Sequence, residues 1–159
     1  MVKRESYRQQ EAEKLCMDAI GSAESACDSV SIRVLIIDDD ITVAALARGI
    51  LERLGHAVQI SASPLKALET YARNRDTIDL VLVDYFMPNL DGGATIDHLR
   101  KLNPEVKVAL FSGADEMRLR QIMRQHRIEG YLHKPLRVEE VRQVFREIFP
   151  VPPEAIPSA

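Results

Sequence analysis

Five residues from four separate stretches of the chain have the types and the local settings to act together: Asp38, Asp39, Asp84, Ser112 and Lys134. Each stands at or just past the end of a short apolar run. Asp84 ends Leu80-Val81-Leu82-Val83 and is followed by Met87-Pro88 and Asp91-Gly92, Asp38 and Asp39 end Ile32 to Ile37, Ser112 ends Val106 to Phe111, and Lys134 follows Glu129 to Leu132. Three carboxylates brought together repel by about 1 to 4 kcal/mol per pair at effective dielectrics between bulk water and a protein surface. A divalent cation relieves that repulsion, and an all-oxygen pocket suits Mg²⁺, which prefers octahedral geometry and keeps several waters. A metal, an ammonium from Lys134 and a hydroxyl from Ser112 around a free carboxylate make an arrangement for phosphoryl transfer, with Asp84 attacking in line to give an aspartyl phosphate.

Such convergence needs a scaffold that brings strand ends to one edge. An apolar run bounded by turn residues reads as a strand buried on both faces, as in parallel sheets. From Ile32 such runs alternate with helical patterns. The first helix spans Ile41 to Leu54, with Val43, Leu46, Ile50, Leu51 and Leu54 on one face and Gly55 closing it. A short strand, Ala57 to Ile60, precedes a helix capped by Ser63 and opened by Pro64, with Leu65, Leu68 and Tyr71 along it. After the Asp84 strand, helices follow over Gly93 to Leu102, Asp115 to His126 and Val138 to Phe149. Five strands alternating with five helices imply an α/β, doubly wound, five-stranded parallel sheet. Residues 1 to 30 read as an N-terminal helical extension and linker, residues 31 to 150 as the domain, and residues 151 to 159 as a tail. The helix over residues 3 to 20 carries only a thin apolar seam and reads either as a frayed appendage or as a segment that pairs with its copy in another subunit or with a partner.

The 159 residues are 46% hydrophobic and 28% charged, with a formal net charge of -3 and a pI near 5.8. That balance offers no basic stripe for nucleic acid, no apolar run reaches a membrane span, and no secretory signal opens the chain, so the expected location is the cytoplasm. Cys16 and Cys27 lack a nearby His to complete a zinc site and read as two reduced thiols. His56, His98, His126 and His133 show no ligand spacing and are expected to be solvated. The fourth helix carries Arg118, Arg120 and Arg124, with Arg127 just beyond, either as a solvated face or as a surface for dimerisation or an acidic partner. Asp38 to Asp40 taken alone would fit a helix N-cap.

These motifs, Ile36-Ile37-Asp38-Asp39-Asp40, Asp84 with Met87-Pro88 and Asp91-Gly92, Phe111-Ser112-Gly113, and Tyr131-Leu132-His133-Lys134-Pro135, resemble in order and spacing the receiver domain of two-component response regulators. The resemblance covers about residues 31 to 150. It implies a flavodoxin-like fold with strand order 2-1-3-4-5. It implies Mg²⁺-dependent phosphorylation of Asp84 by a histidine kinase or phosphotransfer protein. By the same resemblance Asp39 ligates the metal, Asp38 assists, Phe86 gives its backbone carbonyl, Lys134 contacts the phosphoryl group, Ser112 moves to bind it, Tyr131 is the aromatic switch, and Lys134-Pro135 is a cis peptide. Ile41, Gly93 and Phe86 depart from the commonest pattern, where Pro, a larger apolar residue and other side chains are usual. With ten residues after Phe149, the chain is expected to be a stand-alone receiver acting through protein contacts on a downstream target. Two rivals are a receiver-fold scaffold that is never phosphorylated and a phosphohydrolase using Asp84 as nucleophile; the second acid such hydrolases carry two residues on is here Phe86.

Overall fold

The computed structural model describes residues 30–88 and 91–150. Its elements are β1 (Arg33–Ile37), α1 (Ile41–Arg53), β2 (Ala57–Ser61), α2 (Pro64–Asn74), a short 3₁₀ turn (Arg75–Thr77), β3 (Leu80–Val83), α3 (Gly92–Leu102), β4 (Val108–Ser112), α4 (Glu116–His126), β5 (Gly130–His133) and α5 (Val138–Ile148). The strands form one parallel sheet in the order β2-β1-β3-β4-β5. The expected fold class is therefore the observed one. The expected N-terminal helix and C-terminal tail lie outside the described residues, and among those described no helix is long and apolar enough to cross a membrane.

Alternation along each strand splits the core in two. Val34, Ile36, Leu80, Leu82, Phe111 and Leu132 face α1 and α5, which bury Ala44, Ala47, Leu51, Val141, Val144 and Phe145 against them. Leu35, Ile37, Val81, Val83, Val108 and Leu110 face the other way, onto Ala67 and Tyr71 of α2, Ile96 and Leu99 of α3, and Leu119 and Ile122 of α4. Every residue of β3 is buried, which is why its sequence is a continuous apolar run rather than an alternation.

Helix starts follow the capping chemistry. Asp40 accepts from the Thr42 and Val43 N–H groups, Asp91 from Ala94, and Asp115 from Arg118, while Ser63 caps a helix opened by Pro64. Gly55, at φ +90, follows α1 where only a residue without a Cβ is unstrained. The expected face of α1 holds at Leu51, which is buried, and at Val43, Ile50 and Leu54, which pack on the core, but not at Leu46, which is exposed; Ala44 and Ala47 are buried beside Leu51. In α2 the buried residues are Pro64, Ala67 and Tyr71, and Leu65 is exposed. Small alanines let the helices approach the sheet closely, so the largest apolar side chains do not all mark the inner face.

Candidate functional site

Register sets the acidic pair. Ile37 of β1 stands beside Val83 of β3, so the next residues, Asp38 and Asp84, leave adjacent strands side by side. The ladder continues into them: Asp84 N–H donates to the Ile37 carbonyl at 2.9 Å, and Asp38 N–H to the Ser61 carbonyl at 3.2 Å. Both side chains are buried, and Asp39 is exposed at the mouth. One oxygen from each of Asp38, Asp39 and Asp84 lies within 4.8 Å of the others. The Asp triplet is thus divided in labour: Asp40 caps α1, while Asp38 and Asp39 turn to the site.

Lys134 reaches this cluster from the far side of β4. Its Nζ is 2.6 Å from Asp38 Oδ2 and 2.9 Å from Asp84 Oδ2. Burial alone would lower the Lys134 pKa, but its hydrogen bonds and charge contacts with the two carboxylates outweigh this and raise it, so the ammonium stays charged. Burial also pushes the Asp38 carboxyl up, against the opposing pull of Lys134 and of the Asp40 N–H that donates to Oδ1 at 2.9 Å. The remaining oxygen of Asp84, Oδ1, accepts from the Phe86 N–H at 3.0 Å. Ser112 ends β4 beside this group: its carbonyl accepts from Lys134 N–H at 3.0 Å, and its Oγ accepts from Ala114 N–H at 3.2 Å. The Lys134–Pro135 peptide bond is cis.

Tyr131 is half-buried on β5, its ring centroid 5.1 Å from that of His133. Burial and the Glu116 carboxylate both raise its phenol pKa. Phe86 is 43% exposed, with the Arg118 guanidinium 4.5 Å from its ring centroid.

The carboxylate set fits a hard cation with oxygen ligands: three negative groups converge on one point, and among the described residues one ammonium, that of Lys134, offsets them. Three features escaped the sequence. Gly92 is required by contact, because a Cβ there would lie 2.5 Å from Tyr85 Cα and 2.8 Å from the Asp84 carbonyl oxygen. Arg118 is not a free member of a basic face, as it covers Phe86. The histidines are not all solvated: His126 bonds Tyr85 and Asp97, His56 accepts from Ile32 N–H, and His133 pairs with Glu140. Asp91-Gly92 was legible as a turn signal, though not the contact that demands Gly92, whereas the histidine contacts join residues with no local signature.

The architecture is that of a flavodoxin-like doubly wound domain, with the polar site outside the carboxyl ends of β1 and β3, where the strand order reverses. The family model "Response regulator receiver domain" matches residues 34–146. This chain belongs to the response regulator receiver domain family. It is 31% identical over 119 residues to the two-component response regulator ORR22 of Oryza sativa subsp. japonica, an alignment covering 75% of this chain and 17% of that protein. The chain spans about a fifth of the length of the curated response regulators of this group. Among solved structures, chemotaxis response regulator CheY4 of Vibrio cholerae matches with a TM-score of 0.66 at 20% identity, over 75% of this chain and 99% of that one. The CheX-CheY-BeF3-Mg²⁺ complex of Borrelia burgdorferi matches with a TM-score of 0.68 at 23% identity, over 74% and 89%. At these identities the structural matches speak for the fold.

Proposed function

We propose that Asp84 is a phosphoacceptor: it takes a phosphoryl group from a phosphohistidine of a sensor kinase or phosphotransfer protein and thereby switches this chain's contacts with a downstream protein in the cytoplasm. The observation that carries the reading is the buried Asp84 carboxylate at the end of the central strand, held at 2.9 Å by Lys134 beside Asp38 and Asp39. An Asp84 oxygen attacks phosphorus in line, the P–N bond breaks, and its electron pair leaves with the imidazole nitrogen, which then takes a proton from solvent. Asp39, Asp38, Asp84 and the Phe86 backbone carbonyl would hold Mg²⁺, which when bound supplies positive charge to the phosphoryl oxygens. Lys134 is already aimed at the attacked position and can exchange an Asp84 oxygen for a phosphoryl oxygen. The Ser112 hydroxyl accepts from the Ala114 N–H and donates through its own hydrogen, so it has only to turn toward the same group. Tyr131 follows Ser112 inward, and the surface formed by α4, β5 and α5 changes for its partner, a population shift between two arrangements.

Incubation with acetyl phosphate and Mg²⁺ followed by intact mass tests this on wild type and Asp84→Asn. The expected result is a gain of one phosphoryl group that requires Mg²⁺ and is lost in the variant. Absence of any gain in wild type would leave a receiver-fold scaffold.

A further inference from the structure

The two departures from the common receiver pattern flanking the acceptor, Phe86 and Gly93, both meet α4. Phe86 packs its exposed ring under Arg118, and its N–H holds Asp84 Oδ1. Gly93 leaves room for His126: a Cβ there would stand 3.0 Å from both Cε1 and Nε2 of that ring. His126 is 17% exposed, and its two nitrogens span two elements. Nδ1 is 3.2 Å from Asp97 Oδ1 on α3, and Nε2 is 3.3 Å from the Tyr85 hydroxyl. A carboxylate only accepts, so in the neutral imidazole the hydrogen is on Nδ1 and Nε2 accepts from the Tyr85 O–H. Tyr85 and Phe86 are the two residues immediately after Asp84. Helix α4 is thus tied at Arg118 and again at His126 to the segment whose backbone holds the acceptor.

We propose that His126 is a positioning residue, assisted by Arg118, which latches α4 to Tyr85 and Phe86 in the unphosphorylated arrangement, so that phosphorylation of Asp84 has to break this latch. The inference rests on the phosphoacceptor reading and adds a second route from acceptor to α4, separate from Ser112 and Tyr131. In the arrangement described, Lys134 is bound to both carboxylates and the Ser112 hydroxyl to a backbone amide, so the latch belongs to the state without a phosphoryl group. Contacts confined to one state bias the equilibrium toward it, and removing them favours the other.

The test is affinity for beryllofluoride, a phosphoryl mimic, in the presence of Mg²⁺, by isothermal titration calorimetry on the full chain. Tyr85→Phe and His126→Ala should each bind about fivefold more tightly than wild type, the factor that one hydrogen bond's net contribution sets. The double variant should gain no more than either single one. His126→Gln, which can keep a polar atom near the Tyr85 hydroxyl, should stay close to wild type. Arg118→Ala should tighten binding about twofold, in line with an exposed cation–π contact. General damage to the fold weakens binding, so a gain separates the latch from a structural role, and Tyr85→Phe provides the mild variant should His126→Ala fold poorly. Unchanged or weaker binding in both single variants, with wild-type binding intact and lost in Asp84→Asn, would overturn the latch and leave the phosphoacceptor reading standing. No binding by wild type would overturn both.

Discussion

Asp39→Asn isolates the electrostatics of the acidic cluster. Asp39 is exposed and faces Asp38 and Asp84, with ligand oxygens within 4.8 Å. At that separation and near-aqueous screening each repulsion costs about 0.9 kcal/mol, so the two together cost about 1.7 kcal/mol before the opposing pull of the Lys134 ammonium, which is bound to both partners. Neutralising Asp39 should therefore stabilise the metal-free protein by about 1 kcal/mol, which raises the melting temperature by roughly 4 °C in a domain of this size. The response to Mg²⁺ should run the other way. At tenfold excess over its dissociation constant the ion stabilises wild type by about 1.4 kcal/mol, whereas the variant, short of one charged ligand, should gain far less. Differential scanning calorimetry with chelator and then with Mg²⁺ reads both effects. A variant less stable than wild type in chelator would refute the repulsion argument, and an undiminished Mg²⁺ response would remove Asp39 from the ligand set.

Gly92→Ala should cost about 2 kcal/mol and slow phosphoryl uptake, since its Cβ would press on the backbone of Tyr85 and Asp84 and displace the acceptor loop; urea melts and acetyl phosphate kinetics check it, and a variant of wild-type stability would contradict it. Asp79 hydrogen-bonds the Arg33 side chain and backbone, and the Arg33 bond holds its carboxyl below the usual range. A depressed folded pKa stabilises above the unfolded value of about 3.9 and that stabilisation is lost as pH falls through the folded value. The urea-midpoint difference between wild type and Asp79→Asn should accordingly be level near neutrality and shrink on acidification below about pH 4; a difference that widens with acid would contradict the pair's role.

Much of the scaffold was legible because the sheet is buried on both faces. The β3 run Leu80 to Val83 could be little else, and with β1 and β4 it announced parallel strands whose ends share an edge. The spatial order of the strands was not written in periodicity; it came with the resemblance of the motifs. Helix faces were read less well. The face of large apolar residues expected for α1 included Leu46, which is exposed, while the sheet takes the small Ala44, Ala47 and Ala67. At the site, Asp38, Asp39, Asp84 and Lys134 converge because each ends a strand or closely follows one. His126 and Tyr85 meet across 41 positions through side-chain reach alone, and Gly93 reads as a weak helix residue until the ring lying over it is seen.

The place of β3 in the order β2-β1-β3-β4-β5 has a consequence for timescale. Asp84 leaves the middle strand, which has a neighbour on each side and no exposed residue, so its backbone amides should exchange with solvent only through the rarest openings of the domain. Tyr131 belongs to the terminal strand, with one neighbour, and α4 offers most of its length to water. Opening free energies should therefore fall from β3 outward through β4 to β5 and α4. Among the described residues, Asp84 should therefore sit on the part of the domain that opens least, and Tyr131 and α4 on the part that opens most.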